Sequence, residues 1–250
     1  MTCKKNQTLC QLHARKSVRA YSGELPVTPD MKDALLDAAI AAPTAGCMCL
    51  YTILDVTDEA IKKELAVLCD NQPFIAKAPV VLVFLADWQR WYDSFALAAG
   101  GESRTPAEGD LMLATADALI AAQNVVVAAE ALGLGSCYIG DVLEQQEKIA
   151  ALLKLPPYTM PVGMLCIGHP TQQQKEREKP RRFARQYLVH ENTYCPANEE
   201  ALRAMFASRG ENHGFDKDVP AMAARKWNSD FMLEMNRSVQ AWIRRWCGRE

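Results

Sequence analysis

Arg15-Lys16-Ser17-Val18-Arg19 sets two guanidiniums four residues apart with a hydroxyl midway between them. Guanidinium forks bind phosphate oxygens in pairs, and a hydroxyl adds a neutral donor, so the three side chains can converge on one phosphate monoester. A second basic run, Lys175 to Arg185, contains Lys179-Pro180-Arg181, where the proline stiffens the chain between two cations. Taken singly, each run also reads as a solvated charged face. Together they point to a bound phosphate. Other chemistries fit less well. Gly133-x-Gly135 lacks the third glycine of a dinucleotide fingerprint, since Tyr138 stands there, and it follows a predicted helix instead of leading into one. Gly135 to Gly140 has the spacing of a phosphate loop, but Asp141-Val142 occupies the place of Lys-Ser/Thr. Cys47-x-Cys49 is too tight for a tetrahedral clamp, and His13, His169, His190 and His213 have no ligand spacing, so no metal site is expected. A Ser-His-Asp or Cys-His triad stays open on residue types alone, although Ser136 and Cys137 sit in no Gly-x-Ser-x-Gly elbow.

The elements that must carry these residues follow from hydrophobic pattern. A helix is expected from Pro29 to Ile40, a strand at Tyr51–Val56, a helix at Asp58–Cys69 and a buried, valine-rich strand at Pro79–Leu85. After a loop at Gly100–Gly109 comes a long helix, about Asp110 to Leu132, stopped by Gly133 and Gly135. Asp117, Gln123, Asn124 and Glu130 interrupt its apolar run, which makes it a buried helix of a globular fold. Strands at Ser136–Ile139 and Pro161–Ile167 enclose a helix at Leu143–Leu153, and the tail beyond Tyr194 holds helices near Asn198–Ser208 and Asn228–Trp246. Trp242, Ile243 and Trp246 give the last helix apolar bulk suited to a partner surface. The class is therefore α+β or α/β, most simply one domain over residues 1–250 with a C-terminal extension.

Composition sets the outer bounds. Among 250 residues, 49% are hydrophobic and 23% charged, which excludes a disordered or fibrous chain. Lys plus Arg total 28 against 30 acidic residues, a net charge of −2, so no global field draws the protein to nucleic acid or to an anionic membrane. The start is polar, with no signal-peptide core, and nine scattered cysteines form no framework spacing. A reduced, cytoplasmic protein is expected.

The basic segment near the start resembles the phosphate signature of the FMN-dependent nitroreductase family, and four further segments match in order. Ala41-Ala42-Pro43-Thr44-Ala45-Gly46 resembles the family's loop beside the flavin ring. Gln72 resembles a flavin-contacting glutamine of the flavin reductase and oxygen-insensitive nitroreductase group. Gly133-Leu134-Gly135-Ser136-Cys137-Tyr138-Ile139-Gly140 is similar to the segment that passes along the isoalloxazine, and Lys179-Pro180-Arg181 with Val189-His190-Glu191-Asn192 to a late phosphate motif.

The resemblance implies an α+β fold with a mixed central sheet flanked by helices, and an obligate homodimer with FMN at its interface. The helix near residues 110–132 would be central to that interface, and residues 195–250 would embrace the partner. Arg15, Lys16, Ser17, Arg19, Lys179 and Arg181 would hold the phosphate and ribityl chain. Pro43, Thr44, Ala45, Gly46, Cys47, Gln72, Tyr138, Ile139 and Asp141 would line the ring, with the Gly140 N–H towards N5. Cys47 stands where many relatives place asparagine, and Asp141 where glycine is common; its carboxylate is expected to point to solvent. Arg209-Gly210 resembles a tail segment used for the NADPH phosphate, a lean towards NADPH over NADH. The implied activity is ping-pong transfer from NAD(P)H through flavin to a nitroaromatic, quinone or flavin acceptor. The rivals are a dehalogenating or flavin-fragmenting enzyme on the same scaffold, and a non-catalytic FMN-binding protein whose Trp88, Trp91 and Tyr92 block the nicotinamide slot.

Overall fold

A computed structural model describes residues 6–249. They form two compact units, one made of residues 6–177 and 234–249, the other of Glu178–Leu233. The first unit is built on four strands, β1 (Tyr51–Asp55), β2 (Val80–Asp87), β3 (Gly135–Ile139) and β4 (Thr159–Gly168), in the order β1-β2-β4-β3. Each neighbouring pair runs antiparallel, and a parallel element enters at the isolated bridge between Ser17 and Ser136 on the edge strand β3. The observed class is α+β.

Strand alternation divides the interior into two cores. Val81, Val83 and Leu85 of β2 face one side with Cys137, Met164 and Cys166, while Val80, Leu82 and Phe84 face the other with Leu165 and Ile167. A pleated strand requires this split, because successive side chains leave opposite faces. Helices α1 (Gln7–Ala14), α2 (Pro29–Ile40), α3 (Glu59–Leu68), α4 (Phe74–Lys77), α5 (Gln89–Ala99), α6 (Glu108–Ala131), α7 (Gln146–Leu152), α8 (Gln172–Glu176) and α11 (Asp230–Trp246) surround the sheet; α9 and α10 lie in the second unit. The second core is roofed by α2 and α6, the first by α3, α7 and α11. With both faces covered, all eight residues of β2 are buried, which accounts for its continuous apolar run. By length and composition α6 could cross a membrane. In the fold Ala118, Ala121, Ala122 and Ala129 are buried on the sheet, their small side chains letting the helix axis lie close.

Two helices of this unit, α1 and α5, lie where the pattern predicts none. Neither buries a residue fully, although α5 carries apolar residues at helical spacing, and its Trp91 packs half-buried against the first core beside Phe95. Cys10 of α1 is disulfide-bonded, a departure from the all-thiol expectation that framework spacing does not register; the other seven described cysteines are free thiols. A second departure concerns the tail. Trp242 and Trp246 are not a partner surface but lie in the first core, their indole N–H groups donating to the Leu143 and Ala107 carbonyls at 3.0 and 3.2 Å. Burying an indole with its polar tip satisfied is strongly favourable, and sequence cannot say whose surface does it.

In the second unit, α9 (Glu199–Ala207) and α10 (Phe215–Met222) enclose Phe183, Phe206 and Phe215, with ring centroids 5.3 and 5.7 Å apart in edge-on pairs. Arg203 bridges Glu199 and Asp216 and lies over the Phe215 ring.

Val18 is buried against Gly135, where an added Cβ would lie 2.8 Å from the Val18 Cβ. Gly135→Ala is therefore expected to lower stability by about 2 kcal/mol, a fall in Tm of roughly 4–8 °C. Gly101→Ala, which meets nothing within 4 Å, should leave Tm in place. Equal melting temperatures for the two variants would remove the steric argument.

Candidate functional site

The basic segment leaves α1 at Arg15 and runs alongside β3. Val18 N–H donates to the Ser136 carbonyl at 3.0 Å. In an extended chain alternate residues share a face. With Val18 turned into the core, Arg15, Ser17 and Arg19 fall together on the other side, and all three are felt at the Cys137 thiol. Burial pushes that thiol up, against the pull of Arg19, a hydrogen bond from Ser17 and, more weakly, Arg15. The Arg15 Nε is buried without a hydrogen-bond partner among the described residues. A buried guanidinium donor left unpaired is unfavourable, so a ligand oxygen at this place would satisfy it. Lys16, of the opposite parity, does not join this cluster. Its ammonium donates to the Lys175 and Arg177 carbonyls, and Arg177 Nη2 donates to the Ser17 carbonyl at 2.6 Å.

The loop Pro43–Cys49 is organised from below by Asp117 of α6, a carboxylate only 3% exposed. It accepts from the Thr44 hydroxyl, from Ala45 N–H at 3.0 Å and from Leu50 N–H at 3.1 Å, while Thr44 Oγ1 accepts from Cys49 N–H at 2.8 Å. The Thr44 side chain, expected at a ring, is thus committed to the loop's own support. Pro43, Gly46 and Cys47 stay exposed, and Ala45 is half-buried. Gly46, Cys47 and Cys49 all have left-handed backbone, with φ of 56°, 57° and 49°. After glycine, asparagine is the residue most at ease there, so Cys47 and Cys49 hold a conformation that cysteine rarely adopts.

At the other end of β3, Tyr138 is half-buried with its phenol pushed up to about 12 by burial, partly offset by Arg15. Ile139 is buried in the core, whereas Gly140 is exposed, with nothing within 4 Å of where a Cβ would sit. Space for a flat group to approach the Gly140 backbone is therefore built in. Asp141, expected in solvent, is instead half-buried and accepts from Gln72 Nε2 at 2.9 Å. Gln72 reaches it because Asp70 and Asn71, both left-handed, reverse the chain after α3.

Along β3 the first unit thus sets Arg15, Ser17 and Arg19 apart from Gln72, Gly140 and Asp141, while the Pro43–Cys49 loop leads into β1 at the opposite edge of the sheet. Lys179 and Arg181 belong to the second unit, where the Arg181 guanidinium lies close to Gly210 and Arg209 stacks on Phe183 at 5.4 Å. Asp117 is the residue shaping this loop that sequence reasoning passed over. Its signal was present as a carboxylate interrupting an otherwise apolar helix.

The sequence matches the Nitroreductase family over residues 12–169. It is 35% identical over 191 residues, 76% of this chain and 75% of the relative, to a Bacillus subtilis protein named FMN reductase (NADPH). It is 32% identical over 236 residues, 91% of this chain and 95% of the relative, to the oxygen-insensitive NADPH nitroreductase of Salmonella typhimurium. Among solved structures, the NADPH:FMN oxidoreductase from Vibrio harveyi complexed with NAD+ superposes with a TM-score of 0.76 at 26% identity, covering 94% of this chain and 98% of that one.

Asp117→Asn keeps the shape but turns an amide donor towards the N–H and O–H donors beneath the loop. The expected loss is about 2–3 kcal/mol in urea denaturation, with faster amide exchange at Ala45 and Leu50. A loss below about 0.5 kcal/mol would mean that the carboxylate does not hold the loop.

Proposed function

The chain belongs to the nitroreductase family, and we propose that it is an FMN-dependent NAD(P)H oxidoreductase, with NADPH the preferred donor. The observation that carries this reading is the arrangement along β3. An orphaned Arg15 Nε sits beside Ser17 and Arg19 at one end, and an open Gly140 backbone lies at the other. From Ser136 to Gly140 the strand spans about 14 Å at ~3.4 Å per residue. That is long enough to seat a phosphate at the first end and a planar ring at the second.

Arg15, Ser17 and Arg19 would hold the phosphate. Gly140, Gln72 and the exposed faces of Pro43, Gly46 and Cys47 would meet the ring. When bound, FMN accepts a hydride from the nicotinamide and passes two electrons to an acceptor. The chain's own work is to position that group, bury its phosphate charge against two guanidiniums and offer main-chain donors where electron density develops. Donor and acceptor would use one open face in turn, which is ping-pong transfer to a nitroaromatic, quinone or flavin. The preference for NADPH is in keeping with the relatives named for it.

A homodimer belongs to the same reading. Met112, Leu113, Leu119 and Ile120 stand exposed on α6, an apolar strip that a second copy would cover. With Trp242 and Trp246 buried at home, the embracing role expected of residues 195–250 narrows to the segment before α11.

Under anaerobic conditions the purified protein loaded with FMN should lose its visible flavin absorbance on addition of NADPH, and more slowly with NADH. Arg15→Ala and Arg19→Ala should each weaken FMN binding about 10–100-fold, as loss of a charge-assisted contact predicts. Flavin that is bound but bleached by neither donor would make this a binding protein. Undiminished FMN affinity in both variants would remove the phosphate assignment.

A further inference from the structure

Gln72 and Asp141 come to the site from different elements and meet there. Gln72 follows the reversal after α3, and Asp141 follows Gly140 at the end of β3. The Gln72 amide nitrogen donates at 2.9 Å to Asp141 Oδ2 and at 2.9 Å to the Cys69 carbonyl. A carboxylate and a backbone carbonyl both accept, so they admit one orientation of the amide, nitrogen inward and oxygen turned away from them. The partner of this carboxylate is a neutral amide, and no ion pair among the described residues includes Asp141. Its negative field reaches two neighbouring thiols, contributing to the upward shifts of Cys69 and Cys137. Arg15 and Arg19 act on Cys137 in the opposite sense, from the other end of β3.

We infer that Asp141 is a positioning residue that, acting with Gln72, sets the reduction potential of the bound cofactor. This rests on the FMN reading above. The carboxylate fixes how the Gln72 amide is turned, and it places a negative charge beside the Gly140 main chain. A hydride from NAD(P)H brings two electrons and one proton, and the nicotinamide leaves oxidised. The electron density delivered to the ring is opposed by a carboxylate whose only partner is neutral. The consequence is a flavin that is harder to reduce and, once reduced, a stronger donor to its acceptor.

The experiment is a redox titration of FMN-loaded protein against a reference dye. Asp141→Asn retains an oxygen to accept from Gln72 and removes the charge, so it isolates the electrostatic part. At a fixed dye poise the ratio of reduced to oxidised flavin should rise about tenfold, which for a two-electron couple is about 30 mV. Asp141→Ser, a second neutral variant, should shift the same way. Glu147→Gln, which removes a surface carboxylate paired with Arg237 on α11, should not shift it. Potentials in both neutral variants equal to that of the unsubstituted protein would overturn the inference alone. An unsubstituted protein that takes up no FMN would overturn the functional reading and this inference with it.

Discussion

The Asp117 carboxylate is the constraint on which the site's shape depends. A buried carboxylate is tolerated only when donors replace its water, and here three of them come from one short stretch, Thr44, Ala45 and Leu50. The stretch has no regular strand or long helix of its own; a three-residue 3-10 turn, Ala45–Cys47, is its entire secondary structure. Its left-handed cysteines at 47 and 49 are in unfavourable conformations that persist because the carboxylate over-determines the backbone around them. The carboxylate in turn reaches the loop because α6 lies close on the sheet through buried alanines. A larger side chain at Ala118 or Ala121 would lift α6 and take Asp117 with it. Helix packing, a buried charge and loop geometry are one causal chain.

A second dependence runs through β3. The basic segment is an extended strip laid on an edge strand, and its register is fixed by one close approach, Val18 into the notch at Gly135. Once that contact is made, parity does the rest, sorting Arg15, Ser17 and Arg19 from Lys16. Lys16 then ties the strip to the 175–177 backbone instead of adding a third cation to the cluster. Four positive or polar groups that look equivalent in sequence therefore divide into a site and its clamp.

Much of this was legible before the structure. The strands, the long helix and the fully buried β2 follow from periodicity, since burial on one or two faces leaves a direct mark on residue pattern. The grouping of Arg15 with Arg19 was legible because their spacing puts both on one side of an extended chain. What escaped had no such mark. Helix α1 buries nothing, and α5 meets the core only through half-buried side chains such as Trp91. Trp242 and Trp246 display apolar bulk but not its destination. Thr44 and Asp141 were assigned outward, to a ring and to solvent, because a sequence shows a polar side chain without showing the partner that claims it.

The pairings of Thr44 and Asp141 share a physical cause that also explains the polarity of the site. Near a half-buried surface, a carboxylate and a polar side chain find each other before they find water, since each unpaired polar atom there is unfavourable by more than a made hydrogen bond is favourable. Asp117 therefore claims Thr44, and Asp141 claims Gln72. The first pairing hides its charge deep under the loop, where it serves structure alone. The second leaves its charge half-buried beside an open backbone, at the opposite end of β3 from two arginines. A strand with cations at one end and a carboxylate at the other orients an anionic, ring-bearing ligand end for end before any specific contact forms. On the proposed reading, a ligand phosphate would be drawn to Arg15 and Arg19 and repelled by Asp141. The charge inferred to oppose electron arrival at the ring would then be the same charge that sends the phosphate to the other end.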